Sequence, residues 1–233
     1  MPSAVPPDLV IAIDGPSGAG KSSTSRLVAT RLGLAYLDTG AMYRAIAVGC
    51  MGGGLLNPVD EDGVVGFALR AALGVETDPS AFRIALNGVD VTDDIRAPEV
   101  SAAVSAVAVI PRVRAILTAQ MRAIVADRRR IVVEGRDITT VVCPEAAVRV
   151  LLVADPAIRM ARREAEIGHL TPAELADQVV RRDRDDSTVS QFETPAPGVT
   201  LIDSTYLSLD EVADAVIELV PAKLRGRPSG PGW

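Results

Sequence analysis

The sequence predicts an α/β fold: a doubly wound, parallel five-stranded sheet with helices on both faces, a small antiparallel insert and a short lid. Three observations carry this expectation. Short runs of branched apolar residues, such as Leu9 to Ile13, recur along the chain between glycines and prolines, the pattern of strands buried on both faces. Stretches with helical apolar spacing separate them. The period changes to two only in "FRIALNGVDV" (Phe82 to Val91), around Asn87-Gly88, which is a hairpin signal.

Leu9 to Ile13 predicts the first strand. From Lys21 the spacing of Leu27, Val28 and Leu32 predicts a helix, closed by Gly33. A second strand is expected at Leu34 to Leu37, then helical patterns over 41–50 and 60–73. "GVETD" and the hairpin after it predict a small antiparallel sheet. Helices return over 97–108 and 111–128. "RIVVEG" (Arg130 to Gly135) and "VRVLLVAD" (Val148 to Asp155) predict two more buried strands, with helices following over 156–166 and 172–183. "VTLID" (Val199 to Asp203) predicts the last strand and Leu209 to Val220 the last helix. From Pro221 the chain is rich in Gly, Pro and Arg, so 221–233 reads as a disordered tail.

Of the 233 residues 48% are apolar, enough for a substantial core, but only 3% are aromatic, so Val, Ile, Leu and Ala must build it. The net charge of −6 argues against a general nucleic-acid or anionic-membrane surface while leaving room for a local basic pocket. Cys50 and Cys143 lack metal spacing and read as buried free thiols in a reducing compartment. No uninterrupted apolar run reaches membrane-spanning length, and "MPSAVPPDL" lacks the features of a signal peptide. A cytoplasmic protein with neither membrane nor nucleic acid as partner is expected.

"GPSGAGKSS" (Gly15 to Ser23) follows the first strand and opens the first helix, the context in which its spacing makes a phosphate-cradling loop, as in P-loop nucleotide-binding proteins. Glycines let successive backbone N–H groups turn inward around an anion, and the helix adds its positive end. The residues expected to bind ATP are Gly15, Pro16, Ser17, Gly18, Ala19, Gly20, Lys21, Ser22 and Ser23. Lys21 is expected to reach the β- and γ-phosphates and the Ser22 hydroxyl to ligate Mg²⁺. Every basic residue except Lys21 and Lys223 is arginine, so a lysine at this point is informative.

Binding ATP does not by itself define a reaction. The chain has no Asn-Lys-x-Asp guanine-reading motif, and no strand closes with the full apolar-strand-and-aspartate motif by which motor and transporter ATPases hold Mg²⁺, although Glu134 and Asp137 lie in a comparable place. "DTGAMYRA" (Asp38 to Ala45), "PRVR" (Pro111 to Arg114), "EGRD" (Glu134 to Asp137) and "RRDRDDS" (Arg181 to Ser187) each set arginine beside carboxylates or hydroxyls. Arginine grips phosphate through paired hydrogen bonds, and short polar groups read sugar and base. Taken together, these are the parts of a nucleoside monophosphate site. Singly, Arg44 also fits an exposed helix position, Arg112 and Arg114 fit solvent-facing cations, and the Arg181–Asp186 run fits a salt-bridged helix face. Kinases of UMP, AMP or shikimate, and a non-catalytic ATP-binding module, remain as other readings at this point.

"IDGPSGAGKSS", "LDTGAMYRA", "DVTDDIR", "PRVR", "EGRDITTVV" and "LIDST", in this order over residues 8 to 220, resemble the bacterial cytidylate kinase family. The resemblance implies Mg²⁺-dependent transfer of the γ-phosphoryl group of ATP to CMP or dCMP. It also implies a single monomeric domain with a core over 8–37, 109–158 and 176–220, a monophosphate-binding subdomain with insert over 38–108, and a lid over 159–175. Carried over by position, Thr39, Tyr43, Arg44, Arg114, Glu134, Arg136, Asp137 and Asp186 would bind CMP. Lys21, Arg159, Arg163 and Arg182 would stabilise the transferring group, while Arg162 fits either the lid or a salt-bridged face. His169, the sole histidine, would face solvent in the lid. The chain departs from the family pattern at Glu134, where relatives carry Asp, and at Val189, where they often carry Arg. The second departure bears on base selectivity.

Overall fold

A computed structural model describes residues 8–167 and 194–225. Strands β1 (Leu9–Asp14), β2 (Ala35–Asp38), β6 (Arg130–Gly135), β7 (Val148–Val153) and β8 (Thr200–Asp203) form one parallel sheet in the order β2-β6-β1-β7-β8. Strand β1 therefore lies at the centre, with Ile13 level with Glu134 on one side and Val150 on the other.

The strands are apolar on both faces because helices cover both. Alternate residues go opposite ways. Leu9, Ile11 and Ile13 of β1 pack with Val28 and Ala29 of α1 (Lys21–Leu32) and with Val212 and Val216 of a late helix, Leu209–Glu218. Ala12, with Ile131 and Val133 of β6, turns toward the opposite core. That core is built by α2 (Thr39–Gly52), α3 (Glu61–Arg70), α4 (Pro98–Ala108) and α5 (Pro111–Arg128). Among the described residues the remaining α-helices are α6 (Pro156–Ile167) and α7, the helix at Leu209–Glu218.

The expected insert is an antiparallel sheet of β3 (Leu73–Val75), β4 (Ile84–Leu86) and β5 (Val89–Asp90). Asn87 at φ 51° and Gly88 at φ 83° make the tight turn. The segment leading into β4 closes the free edge of β2, where the Tyr36 amide donates to the Thr77 carbonyl at 2.8 Å.

Three expectations change. The helix expected over 60–73 stops at Arg70, because Ala71 turns extended (ψ 126°) to start β3. Residues Ile138–Val142 coil into a π-helical turn that periodicity did not announce. The Asp14 carboxylate organises that turn, accepting the Ile138 and Thr139 amides and the Thr139 hydroxyl at 2.6–2.8 Å. Finally, the tail is folded as far as Arg225. Ala222–Leu224 form a 3₁₀ turn, the Arg130 guanidinium donates to the Leu224 carbonyl, and the Arg225 guanidinium donates to the carbonyls of Val220 and Glu218. The helix expected over 172–183 lies outside the described residues, as do the lid beyond 167 and the tail beyond 225.

Among the described residues no single helix is long and apolar enough to cross a membrane. The pair α4–α5 is apolar enough together but is bent by 102° and contributes buried residues to the core.

Candidate active site

The carboxyl ends of β1, β2 and β6 open into one cavity of about 550 Å³, where a doubly wound sheet receives its ligands. One end is the loop between β1 and α1. It can turn so tightly because Gly15 and Gly18 carry no side chain. A Cβ on Gly15 would lie 2.0 Å from the Leu152 carbonyl oxygen, and one on Gly18 would lie 2.5 Å from that of Arg159. Gly20 caps α1 at φ 90° with no side-chain hydrogen bond, so the first-turn N–H groups have no side-chain cap. Lys21, Ser22 and Ser23 line the cavity, and the Lys21 ammonium donates to the Pro16 carbonyl at 3.0 Å. A glycine-rich loop, a helix N-terminus and one ammonium suit a polyphosphate.

The opposite end is built from separate elements. Asp38, the last residue of β2, caps α2 by accepting the Ala41 amide and also takes the Arg44 guanidinium at 2.9 Å. Arg114, in the first turn of α5, donates to Asp137, which follows β6, and to the Ala108 carbonyl at 3.3 Å. Arg136 reaches back across the sheet to donate to the Gly15 carbonyl at 3.1 Å. Thr39 donates to the Glu134 carbonyl at 2.7 Å, and Tyr43 lies one helical turn further along α2 on the cavity wall. Arg96 and Arg163 complete a wall on which cations outnumber carboxylates, in a protein whose net charge is −6.

Glu134 stands between the two ends. It is buried, accepts a hydrogen bond from the Tyr36 phenol, and shares the cavity wall with Ser22, whose hydroxyl helps to stabilise its charged form. Burial raises its pKa and the Asp38 charge adds to that, while Lys21 works against both. Burial likewise pushes the Tyr36 phenol well above its ordinary value, so it remains a hydrogen-bond donor.

Most of the expected residues that the structure describes line this cavity, and some do not. Gly15, Pro16 and Ala19 shape the loop from behind instead of lining the cavity. Arg159 does not reach in either. The start of α6 passes so close to Gly18 that the Arg159 guanidinium donates to the Ser17 carbonyl at 2.9 Å and braces the loop. Arg162 ties α6 to the strand beyond, donating to the Ser204 hydroxyl and carbonyl, and that hydroxyl donates to the Ala19 carbonyl. Arg112 pairs with Asp62 on the surface. Arg182, Arg184, Asp186, Val189 and His169 lie outside the described residues. Sequence reasoning passed over Arg26, Phe82, Arg96 and Ser101, which also line the cavity. Two signals were at hand: Arg26 sits on the helix after the loop, about a turn beyond Ser22, and Arg96 closes the "DVTDDIR" segment that carries the resemblance.

A family model described as cytidylate kinase matches residues 11–222. A curated relative named cytidylate kinase, from Cutibacterium acnes, is 61% identical over 93% of this chain and 98% of its own length. One of the same name from Nocardia farcinica is 45% identical over 93% of this chain and 95% of its own, and one from Corynebacterium efficiens 44% identical over 92% and 95%.

Proposed function

The chain belongs to the cytidylate kinase family, and from that membership and the geometry of its cavity we propose that it transfers the γ-phosphoryl group of ATP to CMP and dCMP, forming CDP or dCDP and ADP. The observation that carries the reading is a single cavity with a phosphate loop and Lys21 at one end and Arg44, Arg114 and Arg136 at the other. Two phosphorylated molecules can meet there head to head.

At the donor end the amides of 17–23 and the Lys21 ammonium hold the β- and γ-phosphates. The residues around them fit Mg²⁺. Ser22 offers a hydroxyl and Glu134 a nearby carboxylate, the sparse hard-oxygen set that leaves room for phosphate oxygens and water. These two residues would hold Mg²⁺ with ATP, and the ion would supply neutralising charge to the phosphates. At the acceptor end Arg44, Arg114 and Arg136 hold the CMP phosphate, with Thr39, Tyr43, Glu134 and Asp137 around it. Asp38 and Asp137 aim two of the guanidiniums before the ligand arrives.

The acceptor oxygen is already ionised at neutral pH, so no general base is needed. It attacks the γ-phosphorus as the bond to the bridging oxygen of ADP breaks. Catalysis then consists of alignment and charge stabilisation. Arg163 faces the cavity from α6, and Arg182 and Asp186, carried over from the resemblance, add a further cation over the transferring group and a carboxylate for sugar or base. Closure of this segment keeps water from the γ-phosphate. The protein acts as a cytoplasmic monomer.

An acceptor panel coupled to ADP release tests the reading. CMP and dCMP are expected to turn over well ahead of UMP, AMP and shikimate, whereas preference for any of those three would overturn it.

A further inference from the structure

Tyr36 is completely buried on β2, where no motif calls for a phenol. Its hydroxyl crosses to β6 and donates to Glu134 Oε1. The ring has little freedom. The Arg26 guanidinium lies 5.3 Å from its centroid, the Phe82 ring meets it edge-on at 6.5 Å and 60°, and Arg26 also lies 5.1 Å from the Phe82 centroid. The Tyr36 amide is fixed too, by the Thr77 carbonyl. Glu134 in turn lines the cavity together with Ser22 and Lys21, and the Lys21 charge acts on its carboxylate.

A serine hydroxyl that gives a lone pair to a hard cation must direct its hydrogen elsewhere. Glu134 is a buried carboxylate on the same cavity wall that can receive it. A glutamate side chain rotates broadly about its last torsion, and a second donor at a fixed point removes that freedom. We propose that Tyr36 is a positioning residue: its phenol anchors the Glu134 carboxylate on the Ser22 hydroxyl, so that Ser22 presents its oxygen to the divalent cation of the bound nucleotide. The proposal rests on the kinase reading above and draws Glu134 from the acceptor end to the donor end. Partners that orient a metal ligand from behind typically change affinity by about 10–100-fold when removed.

Tyr36→Phe keeps the ring and its contacts with Arg26 and Phe82 while deleting the hydroxyl. With ATP present, Mn²⁺ bound to the protein, read by electron paramagnetic resonance, is expected to weaken about tenfold, with the KM for CMP unchanged. Glu134→Asp, one methylene short of the phenol, is expected to show the same loss and serves if the Phe variant folds poorly. In a Glu134→Gln background, Tyr36→Phe should add no further loss. Unchanged Mn²⁺ affinity with a lower melting temperature would reduce Tyr36 to packing and overturn the proposal, as would a loss fully additive to that of Glu134→Gln or one confined to the CMP KM. Wild-type turnover of CMP, and its loss in Ser22→Ala, tests the kinase reading separately.

Discussion

The two ends of the cavity are held in shape by different forces. At the donor end one contiguous run, 15–23, folds on itself, and steric closeness fixes it. Gly15 is pressed on the Leu152 carbonyl, Gly18 on that of Arg159, and the Lys21 ammonium rests on its own loop. At the acceptor end Arg44, Arg114 and Arg136 come from α2, α5 and the turn after β6, and each is held by an oxygen from elsewhere: Asp38, Asp137 and the Gly15 carbonyl. Chemistry and stability are therefore separable at the donor end and joined at the acceptor end. The Gly15 carbonyl is the one atom of this set that serves both, as part of the loop and as the partner of Arg136.

Lys21→Ala should show the largest effect, a fall in kcat of about 10³-fold with little change in melting temperature, because the Pro16 carbonyl that takes its ammonium belongs to the same loop and not to a distant element. Steady-state kinetics and calorimetry on the same sample check both halves, and a matching loss of stability would break the contrast. Arg114→Ala comes next. The KM for CMP should rise about 10²-fold while that for ATP holds, and the fold should lose about 2 kcal/mol because the half-buried Asp137 carboxylate loses its cation. Arg114→Lys should recover part of the stability but little of the affinity, since an ammonium lacks the two-pronged grip. The smallest effect is expected from Arg162→Ala, which removes the tie from α6 through Ser204 to Ala19. Loss of about 1 kcal/mol there should raise the KM for ATP severalfold and leave that for CMP alone, and a change in CMP affinity instead would show that the two ends are mechanically coupled.

The donor end was legible because its chemistry is local. Glycine spacing, the apolar strand before it and the helix after it all lie within residues 9–32, and the Asn87-Gly88 turn is readable for the same reason. Arg44, Arg114 and Arg136 could be recognised as a kit but not paired with their oxygens. Arg112 and Arg114 look alike in "PRVR", yet two positions on α5 send one to Asp62 at the surface and the other to Asp137 in the cavity. Arg159 had the right charge and sat on the expected helix, but its backbone meets Gly18 and its guanidinium is engaged by the Ser17 carbonyl. Tyr36 passed for an ordinary strand aromatic because its partner is 98 positions away.

Periodicity and turn chemistry were enough by themselves to specify the alternating strands and helices, the hairpin and the phosphate loop, since each depends on neighbours a few residues apart. Which arginines enter the cavity, which one braces the loop and where Glu134 directs its carboxylate were decided only when β2, β6 and α1 came together. Those outcomes turn on angstrom-scale distances between distant segments, and a linear pattern does not contain such distances.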